Sequence, residues 1–297
     1  MILTYNREMR ARGVAVLGLV SLALIAGASI LFGRTVGDEQ ADQGELTGIA
    51  MSSWEFDGYV PLPEVPEPSG LCFHPGRNTL FMVDDGDIGH PAGIYELDLH
   101  ATVLASAQLG VDLEGVCYCA ADGMLYVCDE QEERVYIVDP DGLGLQGQFQ
   151  VSRHLHGREV LLPAGNGFEG IEYIPAGERG EGDCLILLNQ DDPHALVRVD
   201  YADIVDRAEG VPVPLKEIWP LAEINTGELH YDAAAGQLWV IHSWMNVMEV
   251  LDIRTMDVVS WEVFPGAAQE AVTVDAQGRL WVGYDLGGIA RYVRREE

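Results

Sequence analysis

The chain has 297 residues, 48% of them hydrophobic, and its 17 Lys and Arg stand against 48 Asp and Glu, a formal net charge of −31. Such a surface repels nucleic acid and anionic lipid headgroups, because it lacks the positive footprint that displaces their counterions. The composition therefore excludes a nucleic-acid-binding protein. The acidity either favours cations as partners or reflects a saline habitat. The apolar residues are numerous enough for a large core.

The N-terminal segment predicts a membrane anchor. Residues 13–33 contain no charged residue and are long enough to span a bilayer as a helix. Three arginines precede them and place residues 1–12 in the cytoplasm. The prediction is a single-pass protein of the cytoplasmic membrane, contacting the membrane through this helix alone. The alternative is secretion after signal-peptide cleavage, because Ala26-Gly27-Ala28 resembles a cleavage site.

The next segment, residues 34–53, is acidic, polar and without hydrophobic period, which predicts a flexible linker. From residue 54 to residue 294 strand patterns follow one another without a second linker. We therefore predict one further domain over residues 54–294, on the extracytoplasmic side, periplasmic or extracellular.

This domain contains five copies of one pattern. Each copy has a short apolar strand, a turn, a second apolar strand, a polar pair and a third strand. In most copies a small or acidic residue stands near the start of the first strand. The first strands read PSGLCFHP from Pro68, LEGVCY from Leu113, GFEGIEY from Gly167, GELHYD from Gly227 and QEAVTVD from Gln269.

Four short strands repeated about every 50 residues predict an all-β protein with a β-propeller fold, in which each copy is one four-stranded blade. Five blades fit the count, and a sixth, irregular blade within residues 140–165 or 200–225 is left open. The strand that begins at Trp54 has no copy of its own, and the last copy lacks a fourth strand. We therefore predict that the N-terminal strand completes the last blade and closes the ring.

Carboxylates recur at matched positions of the blades. The first strands of a propeller line its central channel, so matched positions face one another across the axis. One position holds Glu114, Glu169 and Glu270, with Ser69 and Gly227, beside Glu228, in the other blades. A second position, after the second strands, holds Asp85, Glu130, Gln190, Ser243 and Asp285.

Several carboxylates in a narrow channel repel one another unless some are protonated or a cation lies among them. Oxygen ligands favour a hard cation, so Ca²⁺ is the first choice and Mg²⁺ the second. The alternative is that the glutamates bind backbone amides of neighbouring blades through water. The predicted metal ligands are Glu114, Glu169, Glu270, Asp85, Glu130 and Asp285.

The chain has five cysteines. Cys117, Cys119 and Cys128 lie on neighbouring strands, but no histidine motif with zinc spacing accompanies them. We interpret the cysteines as small buried hydrophobic residues, and a hairpin disulfide involving Cys128 is the alternative.

Other aromatic residues have simple interpretations. Trp239, Trp244 and Trp281 are predicted to pack between blades, and His242 is a candidate for contact with a ligand at the channel mouth. The sequence contains no nucleophile elbow, phosphate-binding loop, dinucleotide fingerprint or zinc-protease motif.

Five stretches together resemble the SdiA-regulated (YjiK-like) β-propeller family over residues 54–293. The resemblance implies a propeller that is exported or membrane-anchored, kinship with calcium-dependent propellers such as phytases and phosphotriesterases, and channel glutamates at Glu114, Glu169 and Glu270. Gln190 and Ser243 stand where the family often has an acidic residue. The stretches are EPSGLCFHPGRNTLFMVDD, DLEGVCYCAADGMLYVCDEQEERVYIVD, GFEGIEY, GELHYDAAAGQLWVIHS and QEAVTVDAQGRLWVGYD.

We therefore predict a calcium-binding propeller that binds or senses a small molecule or a protein partner on one face. The alternative is a calcium-dependent hydrolase of phosphoesters or lactones, with Glu130 or Glu169 as the base. The charge argues against a polyanionic phosphoester, because such a substrate needs Lys and Arg around its phosphates.

Overall fold

The computed structural model describes residues 53–86, 90–162, 167–191, 193–221, 226–263, 268–285 and 287–295. The predicted anchor at residues 13–33, and the predicted linker up to residue 52, lie outside these residues. In the part of the chain that is described, no helix has the length and apolar character needed to cross a membrane.

The described strands form five four-stranded antiparallel sheets. Blade 1 consists of Pro68–His74, Thr79–Asp84, Gly93–Leu97 and Val103–Gln108. Blade 2 consists of Leu113–Tyr118, Leu125–Asp129, Arg134–Asp139 and Gly144–Phe149. Blade 3 consists of Phe168–Ile174, Cys184–Asn189, Ala195–Asp200 and Leu215–Pro220.

The last two sheets follow the same plan. Blade 4 consists of Leu229–Asp232, Gln237–His242, Val247–Asp252 and Val258–Val263. Blade 5 consists of Gln269–Val274, Leu280–Tyr284, Ile289–Arg294 and Trp54–Val60. The predicted propeller with five four-stranded blades is confirmed.

The stretches in which a sixth blade was left open contain smaller elements. A two-stranded hairpin, His154–Leu155 with Arg158–Glu159, lies between blades 2 and 3. A short helix, Tyr201–Asp206, connects the third and fourth strands of blade 3. Among the described residues these stretches form no further four-stranded sheet.

The first strand of each blade is the innermost one. It contacts the first strands of the two neighbouring blades in cyclic order, and blade 5 contacts blade 1 in the same way. The central channel is therefore lined by the strands that carry the small and acidic residues.

The strand Trp54–Val60 occupies the outer position of blade 5. It pairs antiparallel with Ile289–Arg294, with Trp54 opposite Arg294 and Val60 opposite Ile289, and its register shifts between Phe56 and Gly58. Buried Trp54 also packs edge-to-face against Trp239 of blade 4.

Five hydrophobic clusters lie between adjacent blades. The strands are mostly apolar because both faces of an inner strand are covered by neighbouring blades. Trp239 and Trp281 are buried in these clusters, as predicted. The prediction for Trp244 is wrong: this side chain is 81% exposed. Trp244 lies in the 3₁₀ turn Ser243–Met245, beyond the end of a strand, so the pleat does not direct it between blades.

The five cysteines are all free and buried. The interpretation as small buried hydrophobic residues is confirmed, and the alternative of a hairpin disulfide is wrong. Cys117, Cys119 and Cys128 belong to the apolar cluster between blades 2 and 3.

Candidate functional site

The narrowest part of the channel is formed by residues without side chains. A Cβ atom at Gly115 would lie 2.7 Å from the Cα of Gly170, and one at Gly70 would lie 2.2 Å from the carbonyl oxygen of Glu114. Real Cβ atoms do not approach other atoms so closely. Gly70 and Gly115 are therefore required where the inner strands meet, and Gly170 lies in a tight position, with its nearest contact at 3.1 Å.

Blade 4 carries Glu228 at the position that is glycine in blades 1 to 3. The side chain of Glu228 is fully buried and lies across the channel axis. Its Oε2 accepts hydrogen bonds from the backbone N–H groups of Leu71 at 3.2 Å and Val116 at 3.4 Å. Its Oε1 accepts from Ile171 at 3.3 Å and Leu229 at 2.9 Å. One carboxylate thus joins the inner strands of four blades.

The electrostatics of Glu228 follow from this position. Burial raises the pKa of Glu228 well above its usual range, the N–H donors oppose this rise, and the charge of Glu172 adds to it. The sequence repeat aligns Gly227 with Glu114 and Glu169, and it therefore aligns Glu228 with the glycines that follow them. The sequence analysis assigned Glu228 no role at this glycine position. The alternative prediction was that channel glutamates bind backbone amides of neighbouring blades through water. Glu228 binds such amides, and it does so directly.

The six predicted metal ligands converge on one mouth of the channel, beside this glycine neck. Their charges act on one another: the pKa of Glu114 is raised by burial first and then by Glu169, Asp85 and Glu130. The pKa of Glu169 is raised by burial and then by Glu130 and Glu270. We call this group, together with Asp112, the carboxylate well; its members are Asp85, Asp112, Glu114, Glu130, Glu169, Glu270 and Asp285.

Three members of the carboxylate well lie close enough to share one ion. Asp85, Asp112 and Glu114 each offer a carboxylate oxygen, and these oxygens lie within 4.8 Å of one another. The Oδ1 atom of Asp85 is buried and has no hydrogen-bond partner. Sequence reasoning missed Asp112. Its position directly before the strand Leu113–Tyr118, two residues from Glu114, was the available signal.

The well has an excess of negative charge. Burial raises the pKa of Asp85 to about 8, with further contributions from Glu67, Asp84 and Asp285. Burial likewise raises the pKa of Glu270 to about 7, again with a contribution from Asp285. Among the described residues, none of the charges that shift the pKa values of the well is positive. Protons or a bound cation must therefore balance it.

Glu169 is the most deeply placed member of the well. Its side chain is only 5% exposed. No described residue donates a hydrogen bond to its carboxylate, and its pKa is raised well above the usual range by burial and by the neighbouring acids. A carboxylate left in this state is suited to a ligand that brings its own positive charge or donors.

The polar pairs that follow the second strands divide into two roles. The first member of each pair is buried, and Asp84, Asp129 and Asn189 hold turns together. Asp129, for example, accepts hydrogen bonds from the N–H of Val111 at 2.9 Å and the hydroxyl of Tyr136 at 3.2 Å. The second member faces the well, where Ser243 donates a hydrogen bond to Glu270. This division explains why two adjacent polar residues recur.

His242 is a first member and does not reach the mouth. It is fully buried, its Nε2 lies 3.1 Å from Oε2 of Glu249, and its ring stacks on Trp261. The predicted role of His242 at the mouth is wrong, because the side chain points into blade 4 from the last position of its strand.

A second layer lies on the inner strands beyond the glycine neck, three residues after the glutamate positions. Glu172 in this layer accepts hydrogen bonds from the N–H groups of Tyr231 and Tyr173, each at 2.9 Å. Burial raises the pKa of Glu172 to about 8 and lowers the pKa of His230 to about 4. These groups join neighbouring blades and are held by internal partners.

Comparison with known proteins agrees with this architecture. The profile of the family described as SdiA-regulated matches residues 58–284. No curated protein sequence matches the chain. The crystal structure of a glutaminyl cyclase from Myxococcus xanthus is similar with a TM-score of 0.59 and 16% identity, covering 81% of this chain and 96% of that chain. A streptogramin B lyase structure is similar with a TM-score of 0.49 and 10% identity, covering 82% and 98%. The glutaminyl cyclase likeness shows a shared fold alone.

Proposed function

The chain belongs to the SdiA-regulated family, and from that premise we propose that its propeller binds a divalent cation, Ca²⁺ in preference to Mg²⁺, in the carboxylate well. The observation that carries the proposal is the convergence of oxygens from Asp85, Asp112 and Glu114 within 4.8 Å of one another. If ionised, each such pair repels by about 3 kcal/mol at an effective dielectric constant near 20. A divalent ion removes this repulsion.

The kind of ion follows from the donor set. The well supplies carboxylate oxygens and no thiol or imidazole in its triad, and hard cations prefer such ligands. Glu130 acts on the charge of Glu114 in the triad and adds a further oxygen donor beside it. A large and variable oxygen shell suits Ca²⁺ better than Mg²⁺, which demands near-ideal octahedral geometry.

The biological role that this supports is binding or sensing by an extracytoplasmic, membrane-anchored propeller. The uncharged run at residues 13–33 supports the anchor. Glu228 blocks the axis beyond the well, so a ligand enters and leaves by the same mouth. A mouth closed at its inner end is suited to holding a small molecule or one end of a protein partner.

Calorimetric titration of the metal-stripped full-length chain with Ca²⁺ and with Mg²⁺ tests the proposal. We expect Ca²⁺ to bind more tightly, and Glu114→Gln to weaken Ca²⁺ binding at least tenfold, because a neutral amide replaces one charged ligand. Glu55→Gln is the matched control, since Glu55 is exposed on the outer strand of blade 5. Absence of binding by both ions would refute the proposal.

A hydrolase that uses the same ion is the second candidate. The observation that favours it is Glu169, a buried carboxylate with a raised pKa beside the triad, which is suited to act as a general base on an ion-activated water. The absence of positive charges among the described neighbours of the well favours a lactone over a polyanionic phosphoester. Hydrolysis of a lactone by the Ca²⁺-loaded protein, and its loss in Glu169→Gln with Ca²⁺ affinity largely retained, would identify this activity.

A further inference from the structure

The carboxylate well has more negative charge than one divalent ion neutralises. Asp85, Asp112 and Glu114 form the triad on blades 1 and 2. Glu270 and Asp285 lie on blade 5, where the charge of Asp285 acts on Glu270. Among the described residues, the triad is the one group with metal-ligand spacing, and neither Glu270 nor Asp285 belongs to it. The blade 5 side of the well therefore keeps two carboxyl groups outside the triad when the triad is filled.

Glu169 is a deeply buried acceptor on which the charges of residues from both sides of the well act. Glu169 is 5% exposed, receives no hydrogen bond from a described residue and is affected by the charge of Glu270 as well as by Glu130. A buried carboxyl group without a donor is destabilised in its charged form. A ligand that donates hydrogen bonds and carries positive charge would meet this need.

An exposed tryptophan of blade 4 follows, in the chain, a residue that contacts this side of the well. Trp244 is 81% exposed, more than any other large hydrophobic side chain of the described residues. It directly follows Ser243, whose hydroxyl donates to Glu270. The turn that presents Trp244 is closed by a hydrogen bond from the N–H of Asn246 to the carbonyl of Ser243 at 3.2 Å, with Asn246 in the left-handed region at φ 53°.

An exposed indole ring together with carboxyl groups favours an organic cation as the ligand. The face of an indole ring attracts cations, and tryptophan is the best aromatic residue for this contact. The ring is not a metal ligand, so it adds nothing to the binding of Ca²⁺, and it contributes little to folding because it packs against almost nothing. Carboxylates close to such a face are typical of sites for organic ammonium groups.

We propose that the blade 5 side of the well binds a small organic ammonium compound with a flat apolar group, its cation facing Glu270 and Glu169 and its apolar part resting on Trp244. This deepens the proposed function, because it names the ligand class of the same mouth and rests on Ca²⁺ filling the triad. An anionic ligand is disfavoured, since no positive charge of the described residues acts on the well.

Calorimetric titration with three isosteric probes tests the ligand class. Phenethylammonium is the cation, 2-phenylethanol the neutral probe and phenylacetate the anion. We expect phenethylammonium to bind the Ca²⁺-saturated full-length chain at least tenfold more tightly than the neutral probe, and phenylacetate to give no heat. Equal binding of the three probes, or of none, would overturn the inference.

The same titration without Ca²⁺ separates this inference from the proposed metal site. If Ca²⁺ does not bind but phenethylammonium does, the metal proposal fails, and the ammonium site then belongs to the whole well and not to its blade 5 side. If Ca²⁺ binds and displaces phenethylammonium mole for mole, the two cations share one set of carboxylates and the divided well is wrong.

Variants assign the contact to Trp244. We expect Trp244→Ala to weaken phenethylammonium binding at least fivefold, Trp244→Phe to retain part of the affinity, and both to leave Ca²⁺ affinity unchanged. Trp261→Ala is the matched control, because Trp261 is a half-exposed tryptophan on the outer strand of the same blade. Wild-type ammonium affinity in Trp244→Ala would contradict the assignment.

Discussion

At the scale of single residues, the centre of this propeller depends on which inner-strand position lacks a side chain. Gly70 and Gly115 bring the inner strands of blades 1 to 3 too close for a Cβ atom, and Gly170 leaves little room for one. Blade 4 has Glu228 instead, and this carboxylate occupies the space that the glycines leave. The glutamates before Gly115 and Gly170 are thereby directed to the mouth, where their charges act on each other.

The role of Glu228 predicts a stability defect. We expect Glu228→Ala to lower the free energy of unfolding by at least about 3 kcal/mol, because four buried N–H groups lose their acceptor. Glu228→Gln is expected to fall between wild type and Glu228→Ala, since its NH₂ group would face two N–H donors. Urea unfolding followed by tryptophan fluorescence measures the difference. Glu55→Ala, on an exposed strand position, is the control. Wild-type stability in Glu228→Ala would contradict the role of Glu228 in joining the four inner strands.

At the scale of elements, each turn after a second strand has a structural residue and a residue that faces the well. In blade 2, Asp129 accepts hydrogen bonds from Val111, Glu132 and Tyr136. These bonds join the segment before the first strand, the turn and the third strand. That same segment carries Asp112, whose carbonyl accepts a hydrogen bond from the N–H of Glu130. The position of a triad carboxylate therefore depends on a residue that lies outside the triad.

This dependence predicts a coupled effect in Asp129→Ala. We expect a loss of about 2–3 kcal/mol in the free energy of unfolding, because three donors lose a shared acceptor, and a weaker affinity for Ca²⁺, because Asp112 is no longer held in place. Urea unfolding and calorimetry on one preparation measure both. Asp206→Ala, at an exposed position in the short helix, should change neither. Unchanged Ca²⁺ affinity in Asp129→Ala would show that the hydrogen bonds of Asp129 do not position Asp112 for ion binding.

At the scale of the whole molecule, the acidic well makes stability depend on pH. The pKa values of Asp85 and Glu172 are raised to about 8, and that of Glu270 to about 7. In the unfolded chain these groups titrate at about 4. The folded protein therefore holds more protons than the unfolded chain between these values, and its stability falls as the pH rises through this window.

We predict that the melting temperature of the metal-free protein falls between pH 5 and pH 8. Saturating Ca²⁺ should reverse most of the part that comes from the well, because the ion binds the ionised carboxylates, whereas the part from Glu172 should persist. At a concentration one hundred times Kd the ion should add about 2.7 kcal/mol to the free energy of unfolding. Thermal melts across this pH range, with and without Ca²⁺, measure both effects. A melting temperature that rises to pH 8 without Ca²⁺ would contradict this account.

The fold and much of the well follow from local patterns. Strand length, turns and the five-fold repeat are read within single blades, and matched positions of a ring must converge on its axis. For this reason the six predicted carboxylates share one mouth. Other features do not follow from the strand repeat. Asp112 lies just outside a strand, Glu228 takes a glycine position, and Trp244 lies in a turn that no strand pattern describes. His242 ends its strand with its side chain buried inside blade 4.

The order of amino acids was sufficient for an acidic all-β chain with five repeated blades and a ring of carboxylates, because hydrophobic period and repeat spacing are properties of neighbouring residues. Only the tertiary structure decided which carboxylate caps the backbone and which remain without donors. Distances across the axis join residues up to 157 positions apart, and packing of the inner strands leaves room there for one side chain. That difference separates Glu228, which joins four inner strands, from Glu169, to which no described residue donates a hydrogen bond.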